Sequence, residues 1–343
     1  MNRDRRQILI RADGGHAIGL GHLTRCMALA AALRRKGARA TFVTRTSERK
    51  LLGKIAASGS AVVLMPPGVD HGDDARFLLR QAERLGAAAV VIDSYSITTA
   101  YQKAVKSAGL RLLCIDDVPR RDFVADIVLN QNPGVRAADY SALPYTRFLL
   151  GPRYALLRPS FPAARALPKR ASARPRIVIL MGGSDPRGLA VKTLRALDGL
   201  RLDFSMTVVA GAASRGLAGL SGAARGSAHP CRVAYDPKDL AGLMRRSALA
   251  VSAAGSTCWE LACLGVPAVL MVLADNQQRI ADGLHASGFA LSLGAAAPFP
   301  ARGLLDAVAA LLRDPQRCAR MARAGRRLID GAGADRAAGA LLR

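Results

Sequence analysis

Aromatic residues are scarce in this sequence: Phe, Trp and Tyr together make up 4% of its 343 residues. Proteins that bind single-stranded nucleic acids stack bases on such side chains, so their scarcity argues against a nucleic-acid partner. Acidic residues are also few, 25 against 50 Lys and Arg, which gives a net charge of +25. Most of that excess is arginine spread along an alanine-rich chain. This distribution indicates compositional bias, and we expect no nucleic-acid partner.

The sequence also lacks C-x-x-C pairs and long apolar runs. Its six cysteines are Cys26, Cys114, Cys231, Cys258, Cys263 and Cys318. No histidine cluster lies near them, so we predict reduced core cysteines and no metal site. No run of about 18 apolar residues occurs, and the apolar run near the N-terminus is too short for a signal peptide. These absences predict a cytoplasmic protein with no integral membrane segment.

Short apolar segments alternate with amphipathic segments along most of the chain, beginning with a strand predicted at 8–11. This alternation is typical of α/β folds with parallel sheets. Residues 158–175 contain four prolines and no apolar periodicity, and we interpret them as a linker. We therefore predict two Rossmann-like domains facing a cleft, 1–157 and 176–343, the second including the C-terminal helices. Because ligands bind beyond the carboxyl ends of parallel strands, we expect an active site between the domains.

The first strand is followed by a glycine-rich segment, GGHAIGLGHLTRC. Gly19 and Gly21 supply G-x-G, but Thr24 occupies the third glycine position of the dinucleotide fingerprint and no acidic residue ends the next strand. We therefore predict no nicotinamide cofactor. Glycine allows the backbone to approach a phosphate at the start of the following helix, and Gly21 is a candidate binding residue there.

His22 lies in the first turn of that helix, where the helix dipole and Arg25 both favour an uncharged imidazole. A neutral imidazole facing a cleft is suited to act as a general base. The structural alternative is that His22 only caps the helix. Asp13 is expected to orient a water or a substrate hydroxyl, or else to form a turn. His16 is expected to be a loop residue.

A second strand–glycine–helix segment, SAAGSTCWELACLGVP, spans 252–267. Ser256 and Thr257 open its helix, where their hydroxyl and amide groups are suited to bind a phosphate. Glu260 either binds ribose hydroxyls or forms a capping box with Thr257, three residues earlier.

The ends of other predicted strands supply further candidate substrate-binding residues. Asn276 and Gln277, in LADNQ, hold sugar hydroxyls or cap a helix. Gly183, in MGGSD, contacts a phosphate or forms a tight turn. Tyr95, in VIDSYSI, is expected to hydrogen-bond a sugar. The adjacent acids in CIDDV are interpreted as turn residues, because no other ligand has metal-binding spacing.

Seven motifs occur in order along nearly the whole chain: RADGGHAIGLGHLTRCMALA, IDSYSI, IDDV, GPRYALLRPSF, MGGSDP, SAAGSTCWELACLGVPAVL and ADNQ. Together they resemble the UDP-2,4-diacetamido-2,4,6-trideoxy-β-L-altropyranose hydrolases of pseudaminic acid biosynthesis. The resemblance implies the two-domain GT-B arrangement also found in nucleotide-sugar glycosyltransferases. It implies that water attacks the anomeric carbon of a UDP-sugar, that the C–O bond breaks with inversion, and that neither metal nor cofactor takes part.

The resemblance also assigns residues. His22 matches the family's catalytic histidine, Tyr95 and Asn276 match positions near the sugar, and Glu260 matches the ribose-binding acid. Arg158, in YALLRPSF, is placed near the cleft. The main alternative on the same fold is a glycosyltransferase that uses a UDP-sugar donor. A binding protein without catalysis is a further alternative, but a neutral base beside the reacting carbon would add little to binding.

Overall fold

The computed structural model describes residues 6–15, 19–118, 122–168, 174–183, 185, 187–211, 214 and 216–343. Its internal contacts divide the chain into two compact units. The first comprises Met1–Pro159 together with Gly331–Arg343, and the second comprises Ser160–Asp330. Each unit is built around its own parallel sheet.

The first unit contains a seven-stranded sheet in the order β3-β2-β1-β4-β5-β7-β9, in which all neighbours are parallel. Its strands are β1 (Gln7–Ala12), β2 (Arg39–Thr44), β3 (Ala61–Leu64), β4 (Ala87–Asp93), β5 (Arg111–Ile115), β7 (Ile127–Asn130) and β9 (Arg147–Leu150), with a separate pair β6 (Asp122–Phe123) and β8 (Ser141–Ala142). Its helices are α1 (Gly21–Arg35), α2 (Arg49–Ala57), α3 (His71–Leu85), α4 (Thr99–Ser107) and the C-terminal α13 (Gly333–Leu341), with 3-10 turns at Ala137–Asp139 and Pro152–Tyr154.

The second unit contains a six-stranded parallel sheet in the order β12-β11-β10-β13-β14-β15. Its strands are β10 (Arg176–Leu180), β11 (Ser205–Ala210), β12 (Cys231–Tyr235), β13 (Leu249–Ala253), β14 (Ala268–Val272) and β15 (Ala290–Ala295). Its helices are α5 (Ser160–Ala166), α6 (Leu189–Leu197), α7 (Leu217–Arg225), α8 (Leu240–Arg245), α9 (Thr257–Leu264), α10 (Gln278–Ala286), α11 (Ala301–Arg313) and α12 (Pro315–Leu328), with a 3-10 turn at Asp275–Gln277.

The central strands are apolar on both faces because helices cover both sides of the sheet. In β1, Ile8 and Ile10 join one buried cluster with Leu29 of α1, whereas Leu9 joins the opposite cluster with Leu78 of α3. Successive strand residues point to opposite faces, so a continuous apolar run fills two cores. The prediction of two α/β domains with parallel sheets is confirmed.

The boundaries differ from the expected ones in two places. Part of the expected linker forms α5, whose Phe161 is fully buried and whose Arg165 donates to the carbonyl of Cys263 at 2.8 Å. The C-terminal helix α13 belongs to the first unit, where Leu341 joins the same buried cluster as α1. An amphipathic helix read from sequence does not specify which sheet will cover its apolar face, and this explains the second difference.

Helix length and hydropathy bear on membrane insertion. Over the parts of the chain that the structure describes, no helix is both long and apolar enough to cross a bilayer.

Candidate functional site

The carboxyl ends of β1, β2 and β4 surround a cavity of about 350 Å³ in the first unit, lined mainly by polar and charged residues. These strands are neighbours in the sheet, so the residues that follow them meet at one edge. The cavity is lined by Asp13, Gly14, His22, Arg45, Thr46, Asp93, Ser94, Tyr95 and Ser96. Three of the residues predicted from sequence, Asp13, His22 and Tyr95, are therefore brought together.

The glycine-rich segment forms a tight loop before α1. Gly15 and Gly19 exchange backbone hydrogen bonds of 3.1 and 2.8 Å, and Gly19 has a φ of 83°, a conformation that favours glycine. A Cβ on Gly14 would lie 2.6 Å from Leu23 Cδ1, so the loop packs closely on the helix that it precedes. His16 lies outside the described residues.

His22 is not the cap of α1. The helix begins at Gly21, with Leu20 as its N-cap and no side-chain capping bond, so His22 is its second residue. The imidazole is buried, with Nδ1 2.5 Å from Asp93 Oδ1. An ionised carboxylate only accepts, so we assign the proton to Nδ1, which leaves Nε2 as the basic nitrogen. This is the arrangement by which an acid orients a general base.

Arg25 joins this pair to a second carboxylate. Its Nε and Nη2 each donate to Asp93 at 2.6 Å, and its Nη1 donates to both oxygens of Asp117 at 2.7 and 2.9 Å. Asp117 also accepts from the Tyr95 hydroxyl at 2.8 Å. The Tyr95 ring stands edge-on to His22 with centroids 4.9 Å apart. One guanidinium therefore fixes the positions of both the imidazole and the tyrosine.

The charges in this cluster stabilise one another. Burial acts to raise the pKa of Asp93, but the charge of Arg25 and the hydrogen bonds from Arg25 and His22 outweigh it and hold the pKa well below its usual range. Burial likewise acts to lower the pKa of Arg25, and the two carboxylates raise it well above the usual value. Asp93 is therefore an anion at neutral pH and a constant hydrogen-bond acceptor for His22.

Asp13 belongs to a neighbouring charged network. Its Oδ1 lies 2.6 Å from Arg11 Nη1 and accepts from the amide of Arg45 at 2.7 Å. Arg11, which is 1% exposed, also binds Asp74 through Nε and Nη2. Asp13 is thus held in place by the protein while it lines the cavity.

In the second unit, Ser256, Thr257 and Glu260 lie at the start of α9, beyond the carboxyl end of β13. Ser256 is the N-cap and its side chain makes no capping bond. Thr257 is the first helical residue, so the capping box that competed with a binding role for Glu260 does not form here. Glu260 is 7% exposed.

Three further candidates lie at the same edge of this sheet. Gln277 accepts from the amide of Leu273 at 2.9 Å, and its Nε2 would lie 3.8 Å from a Cβ on Gly255. Asn276 is exposed in the same 3-10 turn. Gly183 follows β10, and its carbonyl oxygen would lie 2.5 Å from a Cβ on Gly211. Arg158 is partly buried near the last residue of the first unit's main segment.

Other polar residues at the first unit's sheet edge have protein partners. Asp117 binds Arg25, and Asp116 accepts from the Tyr140 hydroxyl at 3.1 Å. Among the described residues, no group of three or more His, Cys, Asp or Glu has an arrangement that could hold a metal ion.

Sequence reasoning noted Arg25 as a neighbour of His22 and interpreted Asp117 as a turn residue, but it included neither of them, nor Asp93 and Arg45, among the site residues. Asp93 ends a buried strand and Arg25 lies one helical turn after His22, and both signals are visible in the sequence. Pairing them required knowing that β4 lies beside β1, which the sequence does not state directly.

Comparisons with known proteins extend these observations. No protein-family model matches the chain. The chain is 26% identical over 329 residues to the spore coat polysaccharide biosynthesis protein SpsG of Bacillus subtilis, covering 94% of each. It is 23% identical over 287 residues to the UDP-2,4-diacetamido-2,4,6-trideoxy-β-L-altropyranose hydrolase of Campylobacter jejuni, covering 82% of this chain and 97% of that one.

Solved structures share the architecture. MurG of Acinetobacter baumannii superposes with a TM-score of 0.71 at 16% identity, over 98% of this chain and 99% of that one. The spinosyn rhamnosyltransferase SpnG, complexed with thymidine diphosphate, gives 0.65 at 17% identity, over 98% and 99%. The chain has the GT-B fold.

Proposed function

We propose that this protein processes a nucleotide sugar, transferring its glycosyl group to a hydroxyl group with His22 as the general base. The observation that carries the proposal is the 2.5 Å contact between Asp93 Oδ1 and His22 Nδ1, two residues that line the cavity. The similarity to a polysaccharide biosynthesis protein and the fold shared with a rhamnosyltransferase support glycosyl transfer.

The chemistry follows from the tautomer. Nε2 takes the proton of the attacking hydroxyl, and the oxygen forms a bond to the anomeric carbon. The bond from that carbon to the diphosphate oxygen breaks, and the nucleoside diphosphate leaves with inversion at carbon. Arg25 carries one positive charge beside two carboxylates, Asp93 and Asp117, so one negative charge is left unbalanced. Asp93 therefore stabilises the imidazolium that forms on His22. A proton that arrives on His22 therefore neutralises the cluster.

The second unit is proposed to bind the nucleotide. Ser256 and Thr257 offer hydroxyl and amide groups to a phosphate at the start of α9, and Glu260 accepts from the ribose hydroxyls. Asn276, Gln277 and Gly183 are proposed to contribute from neighbouring strand ends. Gly21, Tyr95 and Arg158 remain proposed substrate contacts.

Hydrolysis is the second candidate, with water in place of the acceptor hydroxyl. It is favoured by the similarity to the Campylobacter hydrolase over 97% of that protein. In this form, UDP-2,4-diacetamido-2,4,6-trideoxy-β-L-altropyranose would yield UDP and the free sugar, with the same roles for His22 and Asp93.

Phosphorus and proton NMR distinguish the two reactions. The purified protein is incubated with this UDP-sugar, and with a panel of UDP- and dTDP-sugars, in EDTA and first without an acceptor. Transfer predicts that the donor persists until an acceptor alcohol is added. Hydrolysis predicts UDP and free sugar at once, with label from ¹⁸O-water in the sugar rather than the phosphate. A protein that neither binds nor consumes any donor, with or without acceptor, would contradict both.

A further inference from the structure

The cavity that contains His22 has a second polar region, formed by Asp13 after β1 and Arg45 after β2. Both side chains line the cavity of about 350 Å³. The Asp13 carboxylate accepts from the backbone amide of Arg45 at 2.7 Å, which holds the two residues side by side. The proposed chemistry uses neither residue.

Asp13 uses its two carboxylate oxygens differently. Oδ1 lies 2.6 Å from Arg11 Nη1 and accepts from Thr44 Oγ1 at 3.1 Å, as well as from the Arg45 amide. Within the described ranges, no residue donates to Oδ2. Burial acts to raise the pKa of Asp13, but the hydrogen bond and charge of Arg11 outweigh it and lower the pKa. Oδ2 is therefore an anionic acceptor.

Arg45 presents donors in the same way. Its Nη2 donates to the carbonyl of Val69 at 2.8 Å and lies 2.9 Å from Asp74 Oδ2, while its side chain is 33% exposed. Asp74 is itself held by Arg11 and by the Tyr101 hydroxyl at 2.7 Å. Among the residues that the structure describes, none accepts from Nε or Nη1 of Arg45. The guanidinium is thus held in place through Nη2, and within the described part of the chain its Nε and Nη1 remain available to a ligand.

We propose that Asp13 and Arg45 form a subsite that selects an uncharged substituent of the substrate, which donates to Asp13 Oδ2 and accepts from Arg45. A hydroxyl group and a secondary amide both meet this requirement. The inference rests on the proposed function, because it concerns the same cavity.

The charges of the subsite disfavour charged substituents on the substrate. Arg11 and Arg45 balance Asp13 and Asp74, so the network is neutral before a ligand binds. A carboxylate on the substrate would be placed against Asp13 and an ammonium group against Arg45. Either would bring a charge that the network does not compensate, and a partly buried uncompensated charge is costly.

Calorimetric titration with UDP, UDP-glucose, UDP-N-acetylglucosamine and UDP-glucosamine tests the subsite. The three sugars differ at one carbon, which carries a hydroxyl, an amide or an ammonium group. The measured quantity is the gain in affinity of each UDP-sugar over UDP. We expect the affinity gain of UDP-glucose or of UDP-N-acetylglucosamine to exceed that of UDP-glucosamine by about tenfold or more. The larger of the first two gains identifies the substituent that the subsite prefers.

Two variants assign that gain to the subsite. Asp13→Asn and Arg45→Gln should each reduce it by about tenfold while leaving the affinity for UDP unchanged. Arg35→Gln is the matched control, because Arg35 is an exposed arginine paired with Asp335 at 2.7 Å. If Asp13→Asn unfolds, Arg45→Gln decides alone, since Asp74 keeps Arg11 and Tyr101 as partners.

The outcomes separate the two proposals. The subsite would be overturned if UDP-glucosamine bound as tightly as the neutral UDP-sugars, or if the variants kept the full affinity gain over UDP. In either case, binding of UDP would still support the proposed function. Absence of binding to every UDP and dTDP ligand in the wild type would remove both.

Discussion

Asp93 Oδ1 lies 2.5 Å from Nδ1 of His22, although 71 residues separate them in the chain. The contact forms because β4 pairs with β1 in parallel register, with Asp93 opposite Ala12. The last residue of β4 is thus brought beside the first turn of α1, where His22 is fixed. The geometry of the His22–Asp93 pair is therefore a consequence of sheet order.

Arg25 should be essential for the stability of the first unit. Arg25→Met leaves Asp93 and Asp117 without their cation, and we expect the free energy of unfolding to fall by about 3–5 kcal/mol. Arg25→Lys keeps the charge but lacks the fork that reaches both carboxylates, so it should restore only part of the loss. Urea denaturation measures both variants. The control variant Arg35→Gln removes an exposed arginine and should change the unfolding free energy by less than about 1 kcal/mol. The prediction would be refuted if Arg25→Met changed the unfolding free energy by no more than this control.

Acid should destabilise the wild type through Asp93. The pKa of Asp93 is lowered in the folded state, so the stability that its charge contributes is complete above the unfolded pKa, about 4. It is lost as the pH falls through the lower folded pKa, because the unfolded state then binds more protons. Asp93→Asn removes this dependence. The difference in unfolding free energy between the two proteins should be largest above about pH 5 and should narrow below about pH 4. A constant difference down to pH 3 would show that Asp93 is not the titrating group.

Two glycines in the loop before α1 should respond differently to alanine. A Cβ on Gly14 would lie 2.6 Å from Leu23 Cδ1, so Gly14→Ala should cost about 1–3 kcal/mol of stability. A Cβ on Gly21 meets nothing within 4 Å, and Gly21→Ala should keep full stability. If Gly21 approaches the substrate, KM should still rise. Thermal denaturation and steady-state kinetics separate these effects, and equal melting temperatures for the two variants would contradict the prediction.

The C-terminal helix should stabilise the first unit rather than the second. Leu341 is 2% exposed within the cluster formed with α1, and Leu341→Ala should cost about 2–5 kcal/mol. Trp259 is the only tryptophan and lies in the second unit, so its fluorescence reports on that unit alone. The variant should shift the unfolding transition seen by circular dichroism and leave the Trp259 transition in place. A shift confined to Trp259 would assign the helix to the second unit instead.

The sheets were predictable because buried parallel strands produce apolar runs that need no knowledge of their neighbours. The partners of His22 were not predictable, because Asp93 approaches His22 and Arg25 only once β4 pairs with β1. The same limit applies to α13, whose apolar face contains alanines that fit either sheet. The capping box considered for Thr257 and Glu260 does not form, because α9 begins one residue earlier than that motif requires. Its N-cap is Ser256, whereas the motif needs Thr257 in that position.

The most direct measurement compares turnover of a nucleotide sugar by the wild type and by His22→Gln, followed by phosphorus NMR with the substrate found in the panel. A positioned general base contributes about 10²- to 10⁴-fold, so kcat should fall by that factor while the affinity for UDP is retained. Asp93→Asn should reproduce much of the loss, because the base then adopts the wrong tautomer. A kcat for His22→Gln within about tenfold of the wild type would contradict the role of His22 as the base.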